Sequence, residues 1–225
     1  VKAPNAVLKA VETDGVAPEG YHATTIFPEY FKIEGKWLLA EESRMDCVAV
    51  YKNDRIYVIE FRNLKKGDLV VVGRTEDTSE GIFVYTQGFE SDEELREAFS
   101  FRQSRSRETA YSKDYDNIYE LLEYEKKNGN IVWVMGPACA FDADSREAFA
   151  ALVRNGYVNG LLAGNALATH DIEASYLQTA LGQNIYTQKS QPNGHYNHID
   201  TINKVRECGS IAKFVEKGYA KDGII

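Results

Sequence analysis

The chain has 225 residues, of which 44% are hydrophobic and 27% are charged, and its formal net charge is −8. This composition is ordinary for a globular protein of one or two domains. The acidic balance argues against a nucleic-acid binder or an anionic-membrane binder, because those proteins present a basic surface. No apolar run approaches the roughly 20 residues that a membrane helix needs, so we expect no membrane partner.

The first residues show no signal pattern, and the three cysteines, Cys47, Cys139 and Cys208, lack the spacing of a metal site. An odd number of scattered cysteines fits a reducing compartment. We therefore expect a cytoplasmic protein whose cysteines behave as small hydrophobic residues.

Residues 1–90 are predicted to form a β-rich module. Short strand patterns are joined there by turn residues and cover residues 30–33, 36–40, 47–51, 55–61, 69–72 and 82–85. The first two segments predict one hairpin and the next two a second hairpin. Short strands at this spacing favour a small barrel or sandwich.

Residues 91–128 are predicted to be a helical connection. Residues 91–94 place an acidic residue after a hydroxyl, as in a capping box, and residues 115–127 have the apolar spacing of an amphipathic helix. Three arginines between these segments either grip an anionic ligand or belong to a solvated connection: Arg102, Arg105 and Arg107.

Residues 129–225 read as an α/β domain. A strand at 130–135, a helix at 145–155 and a strand at 158–163 predict a βαβ unit, hence a Rossmann-like parallel layer. Neither strand is followed by Gly-x-Gly-x-x-Gly, so the standard dinucleotide fingerprint is absent. Residues 223–225 begin like another strand, and we expect the chain to be part of a longer polypeptide.

The second strand of this unit leads into the segment with the most polar residues. Ligands of open α/β sheets bind at the carboxyl ends of strands, where Gly164 and Asn165 follow here. We expect Thr169 to cap the next helix. His170, with Asp171 and Glu173, is either an acid/base group near neutral pH or part of an ordinary acidic first turn.

Two further histidines, His195 and His198, are three residues apart and would share a face of a helix. With His170 they could bind a metal; otherwise one is exposed and the other hydrogen-bonded. Asn203 follows about one turn later. Residues 209–210 open a last helix, whose free N–H groups either receive an anion or form an ordinary helix start.

The motif Gly-Asn-Ala-Leu-Ala-Thr-His-Asp-Ile-Glu occupies residues 164–173. Together with other segments it resembles the family of the lysine-oxoglutarate reductase/saccharopine dehydrogenase conserved region. That family includes archaeal-type ornithine cyclodeaminases and the C-terminal part of a cyanobacterial bifunctional arginine-degrading enzyme. The resemblance covers nearly the whole chain, at residues 14–18, 24–25, 136–138, 155–158, 162–173, 194–195, 198, 202–203, 209–211 and 215–218.

The resemblance implies a β-rich module followed by a Rossmann-like, deoxyhypusine-synthase-like α/β domain that binds NAD. It implies conversion of L-ornithine to L-proline and ammonia, in which NAD takes a hydride from the α-carbon and returns it after ring closure. The expected catalytic residues are His170, Asp171 and Glu173. The expected cofactor-binding residues are Gly136, Pro137, Gly164, Asn165, Ala166, Gly194, His195, His198, Asn203, Gly209 and Ser210; no resident metal is expected.

Two motifs depart from the family pattern. Residues 139–142 replace a histidine and a turn of small residues, and residues 178–182 read Gln-Thr-Ala-Leu-Gly in place of Gly-Thr-Ser-Leu-Gly. The family's N-terminal region and the segment after residue 225 are not in the sequence. We expect a homo-oligomer acting on ornithine or a related amine, or a partner chain that supplies these segments. A ligand-binding module without turnover, and metal-dependent hydrolysis at the three histidines, are the alternatives.

Overall fold

A computed structural model of the chain describes residues 2–87 and 112–224. In that part of the chain, none of the helices combines the length and the apolar character that a bilayer span requires. The predicted capping box at 91–94 and the three arginines between 102 and 107 lie outside the described residues.

The β-rich part contains seven strands within residues 2–87: β1 (Val7–Ala10), β2 (Glu29–Ile33), β3 (Lys36–Leu39), β4 (Val48–Lys52), β5 (Arg55–Ile59), β6 (Leu69–Val72) and β7 (Ile82–Val84). They form a four-stranded sheet in the order β1–β6–β4–β5 and a three-stranded sheet in the order β3–β2–β7. All pairs are antiparallel, and both predicted hairpins are confirmed.

The inner strands of the four-stranded sheet, β6 and β4, are buried on both faces, as β4 shows. Val48 and Val50 point into one apolar core, and Ala49 points into a second core that also contains Phe31 of the other sheet. Val48, Ala49 and Val50 are each at most 1% exposed. Because side chains of a strand alternate between faces, an apolar run of this kind predicts a strand covered on both sides.

β1 is an additional strand that the sequence pattern did not predict, and the largest boundary difference among the strands predicted within residues 1–90 is at 55–61. β5 ends at Ile59, and Phe61–Asn63 forms a 3-10 turn. The chain turns because Phe61 packs edge-on against Tyr21 in the core, with the ring centroids 5.0 Å apart.

The α/β part contains α1 (Ser112–Asn128), β8 (Val132–Met135), α2 (Ala143–Arg154), β9 (Gly160–Ala163) and α3 (Asn165–Leu177). β8 and β9 are parallel, which confirms the predicted βαβ unit. α2 covers one face of this sheet, where Phe149 meets the Trp133 ring edge-on at 5.3 Å.

The remaining elements are β10 (Thr179–Ala180), β11 (Gln183–Asn184), α4 (Asn197–Cys208) and α5 (Ile211–Glu216). β10 and β11 form a short antiparallel pair after α3. A 3-10 turn at Gly194–Tyr196 leads into α4. The two histidines at 195 and 198 therefore lie on different elements, and the prediction that they share one helix is wrong.

α4 joins the two parts of the protein. Asp200 accepts hydrogen bonds from both terminal nitrogens of Arg74, at 3.0 and 2.8 Å, and from the Tyr21 hydroxyl at 2.7 Å. The Arg74 guanidinium lies 4.2 Å from the centroid of the Tyr196 ring, which is fully buried in the β-rich core. Burial and the Asp200 carboxylate raise the pKa of the Tyr21 phenol, so it remains a donor.

A second contact along α4 uses a side-chain amide. Asn203 accepts from the backbone N–H of Ala17 at 2.9 Å and donates to its carbonyl oxygen at 3.0 Å. A side-chain amide that both accepts from and donates to the backbone of one residue reproduces the pair of hydrogen bonds between neighbouring β-strands. Asp200 and Asn203 are three residues apart on the helix, so they present one face to the β-rich part.

We expect Asp200→Asn to lower the free energy of unfolding by about 1–3 kcal/mol, because Arg74 would lose its charged partner. Urea titration of the chain measures this difference. Glu207→Gln, on the same helix and paired with Lys204 at the surface, is the matched control with an expected loss below about 1 kcal/mol. Equal losses in the two variants would contradict a stabilising role for the Asp200 contact.

Candidate active site

α3 begins directly after β9, so the predicted site residues His170, Asp171 and Glu173 lie in the middle of the helix and not at its first residues. The helix begins at Asn165 after an extended Gly164, so the prediction that Thr169 caps it is wrong. Asn165 to Ala168 continue directly into the helical pattern, and no side chain caps this end. His170 and Glu173 consequently lie three residues apart on one face of α3.

His170 and Glu173 are hydrogen-bonded to each other in a buried position. The His170 Nδ1 atom lies 2.8 Å from Glu173 Oε2, and the two residues are 9% and 0% exposed. The other carboxylate oxygen, Oε1, accepts from the Thr179 hydroxyl at 2.8 Å, and that hydroxyl accepts from the Asn197 amide at 2.9 Å. A buried carboxylate needs such donors on both oxygens, because it cannot be solvated by water.

Asp171 faces a different part of the protein. Its Oδ1 atom accepts from Arg146 Nε at 3.0 Å, and its Oδ2 atom accepts from the backbone N–H of Ile224 at 2.8 Å. Arg146 and Asp171 are both buried. The fold therefore joins two of the three predicted catalytic residues, His170 and Glu173, and uses Asp171 to hold residues 221–224 against α3.

We expect Asp171→Asn to destabilise the fold by about 3 kcal/mol or more, because the buried Arg146 guanidinium would lose its charged partner. Chemical unfolding measures this loss. Asp222→Asn is the matched control, because Asp222 contacts the same guanidinium but its side chain is 65% exposed, so a loss below about 1 kcal/mol is expected. An unfolding midpoint that Asp171→Asn leaves unchanged would contradict the structural role.

Five of the predicted cofactor residues lie together at one edge of the sheet. β8 and β9 are parallel neighbours, so the residues that follow them meet at the same edge: Gly136, Pro137, Gly164, Asn165 and Ala166. A Cβ atom added to Gly136 or Gly164 would have no neighbour within 4 Å, and neither residue has a positive φ. The described fold thus does not itself require glycine at these positions, and the backbone is open to a ligand.

The remaining predicted cofactor residues have structural contacts. Gly194 packs its backbone against Gly182, so that a Cβ at either position would lie 2.4–2.7 Å from backbone atoms. The His195 ring lies 4.5 Å from that of the buried Tyr196. Gly209 ends α4 in the left-handed conformation, and Ser210 caps α5 by accepting from the Lys213 N–H. Asn203 is bound to Ala17, as described above. Their cofactor roles stay predictions.

His198 connects the site to the β-rich part. Its Nε2 atom lies 3.5 Å from Asp46 Oδ2, and its ring centroid lies 6.2 Å from that of His170. Burial by itself lowers the pKa of His198, but the contact with Asp46 and the charges of Asp46, Glu173 and Asp200 raise it above the ordinary value of 6.5. Two histidine–carboxylate pairs therefore lie side by side.

We expect the stability contributed by the His198–Asp46 pair to depend on pH. Because the folded-state pKa of His198 is raised, this contribution is fully present below about pH 6.5 and is lost as the pH rises through the folded-state value. The difference in unfolding free energy between the wild type and Asp46→Asn should therefore shrink from pH 5.5 to 8.5. Asn tolerates the positive φ of residue 46, so the backbone is preserved.

Asp54→Asn is the control for this pH dependence. Asp54 also has a positive φ, and its partner is the Tyr51 hydroxyl, which does not titrate in this range. Its effect on stability should be constant with pH. A constant difference for Asp46→Asn as well would contradict the proposed linkage.

The geometry gives no support to the metal hypothesis. Among residues 2–87 and 112–224, no group of three histidine, cysteine or carboxylate side chains is arranged to hold a metal ion. His170 and His198 are each paired with a carboxylate, and the His195 ring packs on Tyr196.

Four residues of the site were missed by sequence reasoning: Asp46, Arg146, Thr179 and Asn197. Thr179 had a signal, because it is the threonine retained in the departing motif at residues 178–182. Asp46 and Arg146 come from other segments, 152 and 25 positions away from His198 and Asp171, and no local pattern links them.

Comparison with known families supports the assignment of these segments. The family described as "Arginine dihydrolase ArgZ-like, C-terminal, Rossmann fold" matches residues 117–225, and the "C-terminal, first region" of the same proteins matches residues 28–111. The chain belongs to the ArgZ-like C-terminal family. Its membership agrees with the resemblance found in the sequence.

Curated relatives of this family member carry related names. "Ornithine cyclodeaminase" of Methanocaldococcus jannaschii is 39% identical over 97% of the chain, which covers 52% of that protein. "Bifunctional arginine dihydrolase/ornithine cyclodeaminase AgrE" of Nostoc is 32% identical over 98% of the chain, covering 31% of its length. The chain thus spans about half the length of the archaeal relative, and less of the cyanobacterial one.

A solved structure extends this similarity to three dimensions. The ternary complex of AgrE with ornithine and NAD+ superposes with a TM-score of 0.74 at 30% identity. The match covers 99% of the chain and 30% of AgrE. The α/β architecture with a Rossmann-type domain is therefore shared with AgrE.

Proposed function

We propose that this chain carries the cofactor site and the acid/base site of an NAD-dependent ornithine cyclodeaminase, which converts L-ornithine to L-proline and ammonia. The observation that carries the proposal is the similarity, over 99% of the chain, to AgrE solved with ornithine and NAD+. The buried His170–Glu173 pair beside the open edge of the β8–β9 sheet supports it.

The sheet edge fits a dinucleotide. The first turn of α3 has no side-chain cap, so the N–H groups of Asn165 and Ala166 are available to a phosphate. The open space at Gly136 and Gly164 allows a ligand to approach the backbone closely. We propose that these four residues and Pro137 hold NAD, which would accept and return a hydride at the substrate α-carbon.

The chain's own residues would handle protons and exclude water. His170 is the proposed proton acceptor for a substrate ammonium group, because an imidazole exchanges protons near neutral pH. Glu173 would stabilise the imidazolium that forms. The ring of Phe141 lies edge-on at 5.6 Å from His170 and covers one side of it, which limits access of water to this ring.

We propose that full activity requires polypeptide outside these 225 residues, either covalently attached or from a partner chain. The chain spans only about half of the archaeal relative. The β8–β9 face opposite α2 also exposes Val132, Val134 and Leu162, at 54%, 79% and 60%. Parallel sheets are normally covered on both faces, so this apolar face favours a further layer.

Several finer expectations belong to the same proposal. We place the functional boundaries at 1–90, 91–128 and 129–225, with the protein acting as a homo-oligomer. A cytoplasmic location is supported by the three cysteines, all within the described residues, none of which forms a disulfide; Cys47 and Cys208 are buried.

We expect Gly136→Val and Gly164→Val to fold normally and to weaken NAD binding at least tenfold, because the added side chains would occupy the open sheet edge. Isothermal titration with NAD measures the affinity, and mass spectrometry of the purified chain detects copurified nucleotide. An assay for ornithine-dependent proline and ammonia on the same samples measures turnover.

Gly160→Ala, at the start of β9 and so at the opposite end of the strand from Gly164, is the matched control and should leave NAD binding unchanged. Its added methyl group would meet Val132 at an ordinary distance of 3.7 Å. NAD binding without proline formation, even with the additional polypeptide present, would favour a ligand-binding module. Unchanged affinity in both valine variants would exclude NAD from this edge.

A further inference from the structure

A chain of hydrogen bonds connects His170 with two elements beyond its own helix. Glu173 is hydrogen-bonded to His170 Nδ1 and accepts from the Thr179 hydroxyl, which lies on β10. Thr179 in turn accepts from Asn197 at the start of α4. The three bond lengths are 2.8, 2.8 and 2.9 Å. Neither Thr179 nor Asn197 is assigned a role by the proposed function.

Burial makes these bonds obligatory. Glu173 and Thr179 are 0% exposed, and His170 is 9% exposed. Water therefore does not compete for the carboxylate oxygens, and each must be satisfied by a protein donor. The side chains of His170, Glu173, Thr179 and Asn197 consequently form one connected hydrogen-bond network. A change at one end of this network alters the donors available at the other end.

The direction of donation is determined by the far end of the network. The Asn197 amide nitrogen can only donate, so the Thr179 oxygen accepts there and uses its single proton for Glu173 Oε1. A donor on Oε1 stabilises the ionised form of Glu173, which can only accept, so Oε2 receives the Nδ1 proton of His170. A neutral imidazole that carries its proton on Nδ1 has its lone pair on Nε2.

His170 Nε2 is the ring atom left for chemistry. It makes no hydrogen bond within the described residues, while the side chain remains 11% exposed. In the described part of the chain, His22 Nδ1 is the one side-chain nitrogen or oxygen atom that is both fully buried and without a hydrogen-bond partner. His170 Nε2 also lacks a partner among these residues but is not fully buried, so a ligand can reach it. The groups that face this ring are Glu173, Phe141 and His198, with Asp46 beside His198.

We propose that Thr179 and Asn197 are positioning residues, which hold Glu173 so that His170 stays in its Nδ1–H tautomer with Nε2 as the proton-exchanging atom. The identity of the substrate in this inference rests on the proposed function. In the ring closure, Nε2 would take one proton from the substrate δ-ammonium, and the freed lone pair would form a bond from the δ-nitrogen to the α-carbon of the imine. The α-nitrogen would then receive the imidazolium proton and one proton from the attacking nitrogen, and its bond to the α-carbon would break as ammonia leaves.

Nitrogen NMR of the histidine rings tests the tautomer in the full chain without added NAD, with His170→Gln identifying the signals. In the wild type we expect a protonated Nδ1 and an unprotonated Nε2 at a pH where the ring is neutral. In Thr179→Val and Asn197→Leu the ring should shift toward a mixture of tautomers. Thr179→Ser, which keeps the hydroxyl, should restore the wild-type pattern.

Kinetics of ornithine conversion provide the second readout. Thr179→Val and Asn197→Leu should lower kcat at least tenfold while KM stays within about twofold, because positioning acts on the proton transfer rather than on binding. Thr201→Val is the matched control: Thr201 is equally buried, but its hydroxyl donates to the Asn197 carbonyl within α4. It should leave both the tautomer and kcat unchanged.

A wild-type ring protonated on Nε2, or a tautomer that neither Thr179→Val nor Asn197→Leu alters, would overturn the inference. Asn197 is only half-buried, so its variant keeps the test open even where Thr179→Val does not fold. Absence of proline formation by the wild-type chain together with the additional polypeptide proposed above would instead refute the proposed function, since the ring signals are read without substrate or cofactor.

Discussion

The contact between Asp200 and the Arg74–Tyr21 pair determines how the two parts of this protein fit together. Asp200 lies on α4, whereas its partners belong to the β-rich part, and one turn later Asn203 binds the backbone of Ala17. Both contacts use one face of α4. Because the first turn of α4 carries Asn197 and His198, the β-rich part controls where these two residues meet α3.

α3 separates its two tasks by helix geometry. Residues three apart share a face, so His170 and Glu173 point together toward β10 and α4. Asp171 lies about 100° around the helix axis from His170. It pairs with Arg146 and also accepts a hydrogen bond from the backbone N–H of Ile224. One short motif thus supplies both a proposed acid/base group and the anchor that holds the end of the described chain.

The sequence patterns were most informative where neighbouring residues decide the structure. The hairpin turns at Glu34-Gly35 and Asn53-Asp54 adopt the positive φ values that such turns need, and the hairpins form as predicted. The βαβ unit also follows from local periodicity. The start of α3 was misjudged, because Thr169 is a good capping residue by type but the helix continues from Asn165 without any side-chain cap.

Sequence alone determined the fold class, the family, and the segment around Gly164 and His170, because all three depend on residue types at short spacing. Only the tertiary structure decided the partners of those residues. Asp46, Arg146, Thr179 and Asn197 reach the site from four other segments, and their contacts exist only after the sheets and helices pack. The same packing gives His170 and Glu173 a shared buried network and commits Asp171 to an ion pair, a distinction that the adjacent letters His-Asp-Ile-Glu do not contain.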